Sequence, residues 1–152
     1  MLGQAMASAA VDESIKGVLL TGKGKAFCSG GDLKWISQQS EEAGSVLYRL
    51  APMFHVAITE IRRMGKPVIA AINGIAAGGG FSLALASDFR VMGQSVILRQ
   101  AYTSSGLSMD GGGSFALPRL VGLARAMEIM AFDEPISSAR AWAATSSPRK
   151  PW

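Results

Sequence analysis

Histidine and cysteine occur once each in the 152 residues, as His55 and Cys28. A single thiol excludes an internal disulfide, and one imidazole with one thiol is too few for a zinc site, so no metal centre is expected. Aromatic residues make up 7% of the chain and charged residues 17%. The basic residues are scattered, and neither a basic helix nor an interleaved aromatic set is present, so nucleic acid is not an expected partner. No apolar run reaches the roughly 18 residues that span a membrane. The N-terminus lacks the charged start and apolar centre of a secretory signal. A reducing, cytoplasmic setting follows as the expectation.

What the chain has instead is apolar surface and glycine. Hydrophobic residues make up 49%, enough to build the core of one domain at this length. The 18 glycines cluster beside apolar runs, which predicts tight strand-to-helix turns and argues against disorder. The formal charge is +4 and the pI about 9.6, with Lys23, Lys25 and Lys34 bracketing one loop. A small polyanionic ligand suits that balance.

The chain is organised around Lys66 to Asp88. Val68 to Ile72 is a short apolar run that suits a strand buried on both faces. Asn73-Gly74 and the triplet Gly78 to Gly80 punctuate it, and Phe81 to Ala86 suits a buried helix. A helix start behind a glycine turn leaves backbone N–H groups unpaired, and these attract an anion or a developing oxyanion. The same glycines serve equally well for close packing of strand on helix, and taken alone they leave both readings open.

On either side the pattern is α/β. Leu2 to Ala10 is helix-prone, and Ile15 to Leu20 reads as a strand. The first glycine-rich loop, Gly22 to Lys34, places Gly30 and Gly31 just before Asp32, a residue suited to cap the helix that follows. Two strand–glycine–helix turns in one small parallel sheet would aim two N–H groups at one spot, as an oxyanion hole requires. Ser37 to Gly44 is polar and loop-like. Leu47 to Met64 keeps helical spacing, with regular helix expected from Pro52. Phe89 to Met92 and Val96 to Leu98 read as strands, and Ser114 to Val121 and Ala124 to Phe132 as helices. After Ile136 to Trp142 the pattern stops, and the last residues read as disordered.

Several motifs fail when tested. There is no G-x-G-x-x-G dinucleotide fingerprint and no phosphate loop. Gly80-Phe-Ser82-Leu-Ala84 approaches a nucleophile elbow, but His55 precedes Ser82, so the chain order of that triad is not met. His55 reads as a structural or a catalytic imidazole. Asp110, directly before Gly111 to Gly113, reads as a turn residue or as a pocket carboxylate able to move protons.

Three segments together carry a resemblance. Lys25-Ala-Phe-Cys-Ser-Gly-Gly-Asp-Leu-Lys34, Lys66 to Gly80, and Gly106 to Ser114 with Leu117-Pro-Arg-Leu-Val-Gly122 resemble, in order, the signature regions of the crotonase (enoyl-CoA hydratase/isomerase) superfamily. The resemblance implies a spiral of repeated ββα units over residues 1–139, short at both ends, with 140–152 as a tail outside the family pattern. It implies an acyl-CoA substrate, with coenzyme A entering as part of that substrate and no other cofactor. It implies a homo-oligomer, a trimer or hexamer. By position, Gly31 and Gly79 would donate the two oxyanion N–H groups. Lys25, Ala26, Ser29, Asp32, Leu33 and Tyr102 would bind substrate. The two catalytic Glu of the family's hydratases fall on Ser82 and Tyr102, neither a carboxylate. Asp110 matches the carboxylate of family isomerases and the nucleophile of aryl-CoA dehalogenases, which also keep a His where His55 falls and an aromatic where Tyr102 falls. The resemblance therefore implies double-bond isomerisation with Asp110 as acid/base. The alternatives are a dehalogenase-like hydrolase, with His55 as base, and an acyl-CoA-binding remnant.

Overall fold

The computed structural model describes residues 2–39 and 42–146. A helix, α1 (Leu2–Val11), leads into β1 (Val18–Thr21), β2 (Ala26–Cys28), α2 (Leu33–Ser37) and the long α3 (Ala43–Arg63). Then come β3 (Val68–Ile72), β4 (Ile75–Ala77) and α4 (Gly79–Ala86), followed by β5 (Phe89–Met92) and β6 (Ile97–Arg99). A 3-10 turn at Thr103–Ser105 precedes α5 (Gly113–Val121), α6 (Leu123–Phe132), β7 (Ile136–Ser137) and α7 (Ser138–Ser146).

The strands do not share one sheet, as the two glycine turns suggested. They form two: β1-β3-β5, all parallel, and β2-β4-β6 parallel with β7 antiparallel on its edge. Each turn of the chain therefore lays one strand in each sheet and then a helix, which is the expected ββα repeat. The second sheet escapes periodicity because β2, β4 and β6 are three residues each, too short to show a period of two. Asn73 and Gly74 turn the chain from one sheet to the other. A Cβ on Gly74 would land on the Lys25 carbonyl, so the corner closes only around glycine. Asn73 locks it: Oδ1 accepts the Gly22 N–H at 3.0 Å and Nδ2 donates to the Gly24 carbonyl at 3.0 Å.

Val68, Ala70 and Ile72 point into the core from β3, the middle strand of its sheet. Helix α4 packs on β2 and β4 of the second sheet and buries nearly every residue, as a helix apolar all round must. Helix α3 packs on it, with Ile58 and Ile61 in the core. It begins at Ala43 and passes straight through Pro52, earlier than the sequence suggests. Pro52 lies on the exposed face, where water can replace the hydrogen bond its ring removes. Helix α1 docks on α3, and Lys66 Nζ ties down its end by donating to the Ala9 and Asp12 carbonyls, each at 2.6 Å.

Helix α7 crosses the position where the sequence pattern suggested a boundary between core and tail. The disorder expected at the C-terminus falls, over 147–152, outside the described residues. None of the described helices is long and apolar enough to cross a membrane.

Candidate active site

The two glycine loops meet. Strand β2 ends at Cys28, and Ser29, Gly30 and Gly31 carry the chain to Asp32, whose Oδ1 accepts the Trp35 N–H at 2.9 Å and caps α2 as expected. Strand β4 ends at Ala77, and Gly78 turns with φ 53° into α4, which has no side-chain cap. A Cβ on Gly80 would run into the Cys28 carbonyl, so the N-terminal turn of α4 seats directly on the first loop. Among the described residues, neither the Gly31 nor the Gly79 N–H bonds a backbone carbonyl. For Gly79 that is the ordinary state of a helix's first residue.

Above these glycines opens a cleft of about 570 Å³. Ser29, Gly31, Asp32, Leu33, Gly79, Tyr102 and Asp110, all singled out in the sequence, line it together. Leu47, Leu50, Ala51 and Phe54 of α3 supply an apolar wall. Leu33 and Trp35 are exposed along this cleft, while Ile36 carries the buried side of α2. Lys25 and Ala26 do not line the cleft; Lys25 sits on an exposed turn and Ala26 opens β2.

Asp110 is the centre of the polar contacts. Tyr102 Oη donates to its Oδ1 at 2.7 Å, and Ser82 Oγ donates to its backbone carbonyl at 2.8 Å. The two hydroxyl oxygens lie 2.9 Å apart. Three short contacts thus share two hydroxyl hydrogens. Burial pushes the Tyr102 phenol well above its ordinary value; the Ser82 bond opposes this and the Asp110 carboxylate adds to it. Tyr102 therefore remains a donor across the physiological range. On the open side, His55 Nε2 lies 3.4 Å from Asp110 Oδ2 and 3.4 Å from the Gly111 N–H. That nitrogen accepts from Gly111 only without a proton and donates to Asp110 only with one, so the ring serves one neighbour at a time.

Ser82 is fully buried, and its hydroxyl is committed to Asp110 and Tyr102, which removes the nucleophile-elbow reading. Cys28 reaches the cleft wall, but no contact joins it to His55. Gln100, Ala101 and Asp133, which support the site, carried no signal in the sequence, and Phe54 read only as part of a helix face. They lie outside the three signature segments, and their roles arise from contacts far apart along the chain.

The profile of the enoyl-CoA hydratase/isomerase family matches residues 1–144. A probable enoyl-CoA hydratase of Mycobacterium leprae is 42% identical over 134 residues, which is 85% of this chain and 46% of that protein. A 4-chlorobenzoyl coenzyme A dehalogenase of an Arthrobacter species is 38% identical over 77% of this chain and 43% of its own. A 1,2-epoxyphenylacetyl-CoA isomerase of Escherichia coli K12 is 34% identical over 86% of this chain and 50% of its own. Among solved structures, an enoyl-CoA hydratase from Bacillus anthracis superposes with a TM-score of 0.88 at 35% identity, over 95% of this chain and 55% of that one.

The chain belongs to the enoyl-CoA hydratase/isomerase family, a family of enzymes, and has the crotonase fold. It spans about half the length of the curated relatives it matches.

Proposed function

We propose that this chain carries the reacting half of an enoyl-CoA double-bond isomerase, with Asp110 as its acid and base. The observation that carries this reading is the ring of Asp110, Tyr102 and Ser82 in a cleft walled by Gly31 and Gly79. Hydration in this family uses two carboxylates, whereas moving a double bond needs one group that takes a proton and returns it. Here one carboxylate accepts from the Tyr102 hydroxyl, while the Ser82 hydroxyl holds the backbone carbonyl of the same residue.

In the proposed reaction the thioester carbonyl of a 3-enoyl-CoA lies against the Gly31 and Gly79 N–H groups. Asp110 takes a proton from C2: the C–H bond breaks, an O–H bond forms, and the electron pair moves onto the thioester oxygen as an enolate. The two N–H groups and the N-terminal end of α4 stabilise that charge. Asp110 then gives its proton to C4, and the double bond ends in conjugation with the thioester. When Asp110 holds the proton, it can donate to Tyr102, Tyr102 to Ser82, and Ser82 to the Asp110 carbonyl. All three contacts then carry a hydrogen, so the ring suits an intermediate with a neutral Asp110.

Backbone near Ala26, Ser29 and Leu33 would hold the adenine end of coenzyme A, with Lys25 and its neighbouring lysines near the phosphates. No further cofactor enters the scheme. A cytoplasmic homo-oligomer, trimer or hexamer, belongs to the same reading, supported by the exposed Phe115, Met127 and Phe132.

The test is the absorbance of the newly conjugated thioester from a 3-enoyl-CoA, measured beside Asp110→Asn. Signal lost in the variant, with CoA-ester binding kept, is the expected result. Equal turnover by Asp110→Asn removes Asp110 from the mechanism. A second reading, a dehalogenase-like hydrolase with Asp110 as nucleophile and His55 activating water, draws on the 3.4 Å approach of His55 to Asp110.

A further inference from the structure

Asp133 is 5% exposed, lies outside the three signature segments of the sequence and neither lines the cleft nor bonds Asp110. It caps the C-terminus of α6 with φ 51°, its N–H donating to the Ile129 carbonyl at 3.1 Å. Its Oδ1 accepts the Ala101 N–H at 2.7 Å, and its Oδ2 lies 3.3 Å from Arg99 Nη2. Ala101 itself holds φ 55°, in the left-handed region that a residue with a Cβ enters only at a cost. Ala101 and Asp133 are the two non-glycine residues with positive φ among the described residues, and a hydrogen bond joins them.

The next residue after Ala101 is Tyr102. Its backbone N–H donates to Gln100 Oε1 at 3.0 Å, and the Thr103 N–H donates to the same oxygen at 3.3 Å. Gln100 Nε2 and Thr103 Oγ1 both donate to the Met130 carbonyl, at 3.4 and 2.8 Å. Arg99 Nε donates to the Asp133 carbonyl at 3.0 Å. The segment that delivers Tyr102 is thus hung on the last turn of α6, with the strained Ala101 as its bend.

We infer that Asp133 is a positioning residue for the active site: its carboxylate holds Ala101 left-handed, and that bend aims the Tyr102 hydroxyl at Asp110. The inference rests on the isomerase reading for its kinetic effect, but not for its structural one. If Ala101 relaxes toward negative φ, the Tyr102 ring shifts and the 2.7 Å contact with Asp110 opens.

Three variants of the full chain test this. Asp133→Gly keeps a residue suited to positive φ at the helix end and removes the acceptor. Asp133→Asn keeps an acceptor oxygen and tolerates the same φ. Asp133→Gly with Ala101→Gly removes the acceptor and the strain together. Two readouts are used: the ring-carbon NMR signal of labelled Tyr102, with the exposed Tyr48 as internal reference, and kcat and KM on a 3-enoyl-CoA. Asp133→Gly should move the Tyr102 signal and lower kcat about ten-fold with KM nearly unchanged. Asp133→Asn should stay near the parent in both readouts, and the double variant should recover most of the loss. Should Asp133→Gly fail to fold, Ala101→Val strains the same bend with Asp133 intact and should move Tyr102 likewise.

A Tyr102 signal unmoved in Asp133→Gly, or in Ala101→Val where that variant is used, overturns the inference, even if the melting temperature falls. So does an Asp133→Asn variant as impaired as Asp133→Gly. If no protein turns over the 3-enoyl-CoA, while Tyr102 moves in Asp133→Gly and not in Asp133→Asn, the positioning role stands and the isomerase reading falls.

Discussion

Replacing Tyr102 by Phe removes one oxygen from a ring that is 6% exposed and leaves the rest of its packing in place. That oxygen donates to Asp110 Oδ1 at 2.7 Å and approaches Ser82 Oγ at 2.9 Å. A hydrogen bond to a charged acceptor contributes about 1.5–3 kcal/mol in general. The Asp110 side chain is 38% exposed, so water will partly replace the lost donor, and the lower end applies. Tyr102→Phe should therefore cost about 1–2 kcal/mol near neutral pH.

The difference should also depend on pH, with a definite sign. The phenol's pKa is raised on folding, above its ordinary value of 10.0. Above pH 10 the unfolded chain releases the Tyr102 proton while the folded chain keeps it. The unfolded state then binds fewer protons, so the stability this group contributes is full below pH 10 and declines above it. The parent should lose up to about 1.4 kcal/mol per pH unit relative to the variant, less wherever the open cleft admits water. Phe has no such titration, and every other group is common to both chains. Urea unfolding followed by tryptophan fluorescence, at steps from pH 7 to 11, gives the difference directly. A gap of about 1–2 kcal/mol that narrows above pH 10 is expected. A gap that stays constant, or that widens with pH, would refute the claim that Tyr102 is a buried donor to Asp110.

The remaining predictions concern the wall and floor of the cleft. If the hydrolase reading holds, His55→Gln incubated with a halogenated aryl-CoA will accumulate an ester on Asp110, visible as added mass; the isomerase reading predicts none. Gly80→Ala should destabilise the chain by about 3 kcal/mol or more, because its methyl would meet the backbone carbonyl of Cys28, which has no room to yield. Thermal unfolding checks this, and an unchanged midpoint would mean that the two loops are not seated as described.

Much of this was readable beforehand, and the reasons for what was not are physical. Phe81 to Ala86 announces itself because burial on all sides demands an unbroken apolar run, whereas Val68 to Ile72, expected to be buried on both faces, fully buries only Val68, Ala70 and Ile72. Asp32, Gly31, Gly79 and Asp110 were legible because glycine turns and the carboxylates beside them are local features. The second sheet was not legible, since a three-residue strand carries its information in partners some fifty residues away, as Ala26 does in pairing with Ile75. Pro52 misled for a similar reason: whether a helix tolerates proline depends on whether that face is wet. Ala101 was invisible because nothing in an alanine suggests a left-handed bend, and Asp133 because an aspartate that tolerates one does so only where a helix end or a partner such as the Ala101 N–H calls for it.

The chemistry of the site follows from what stands at Ser82 and Tyr102. A carboxylate at the Tyr102 position would stand beside that of Asp110, and two like charges so placed would oppose each other's ionisation. Hydroxyls carry no such charge. They donate to Asp110 when it is ionised and accept from it, directly or in series, when it is not. The ring therefore serves both protonation states of one acid without changing its heavy-atom positions, which is the demand that a proton shuttle places on its surroundings. A nucleophilic Asp110 makes a different demand, because its attacking oxygen must be free of hydrogen bonds. Oδ1 is taken by Tyr102, so attack would fall to Oδ2, the oxygen facing His55. Under that reading, the first step would form a bond at the atom nearest the imidazole, and Tyr102→Phe would leave Oδ2 chemistry largely intact. Under the isomerase reading the same substitution removes a member of the ring that receives the proton, and kcat falls with it.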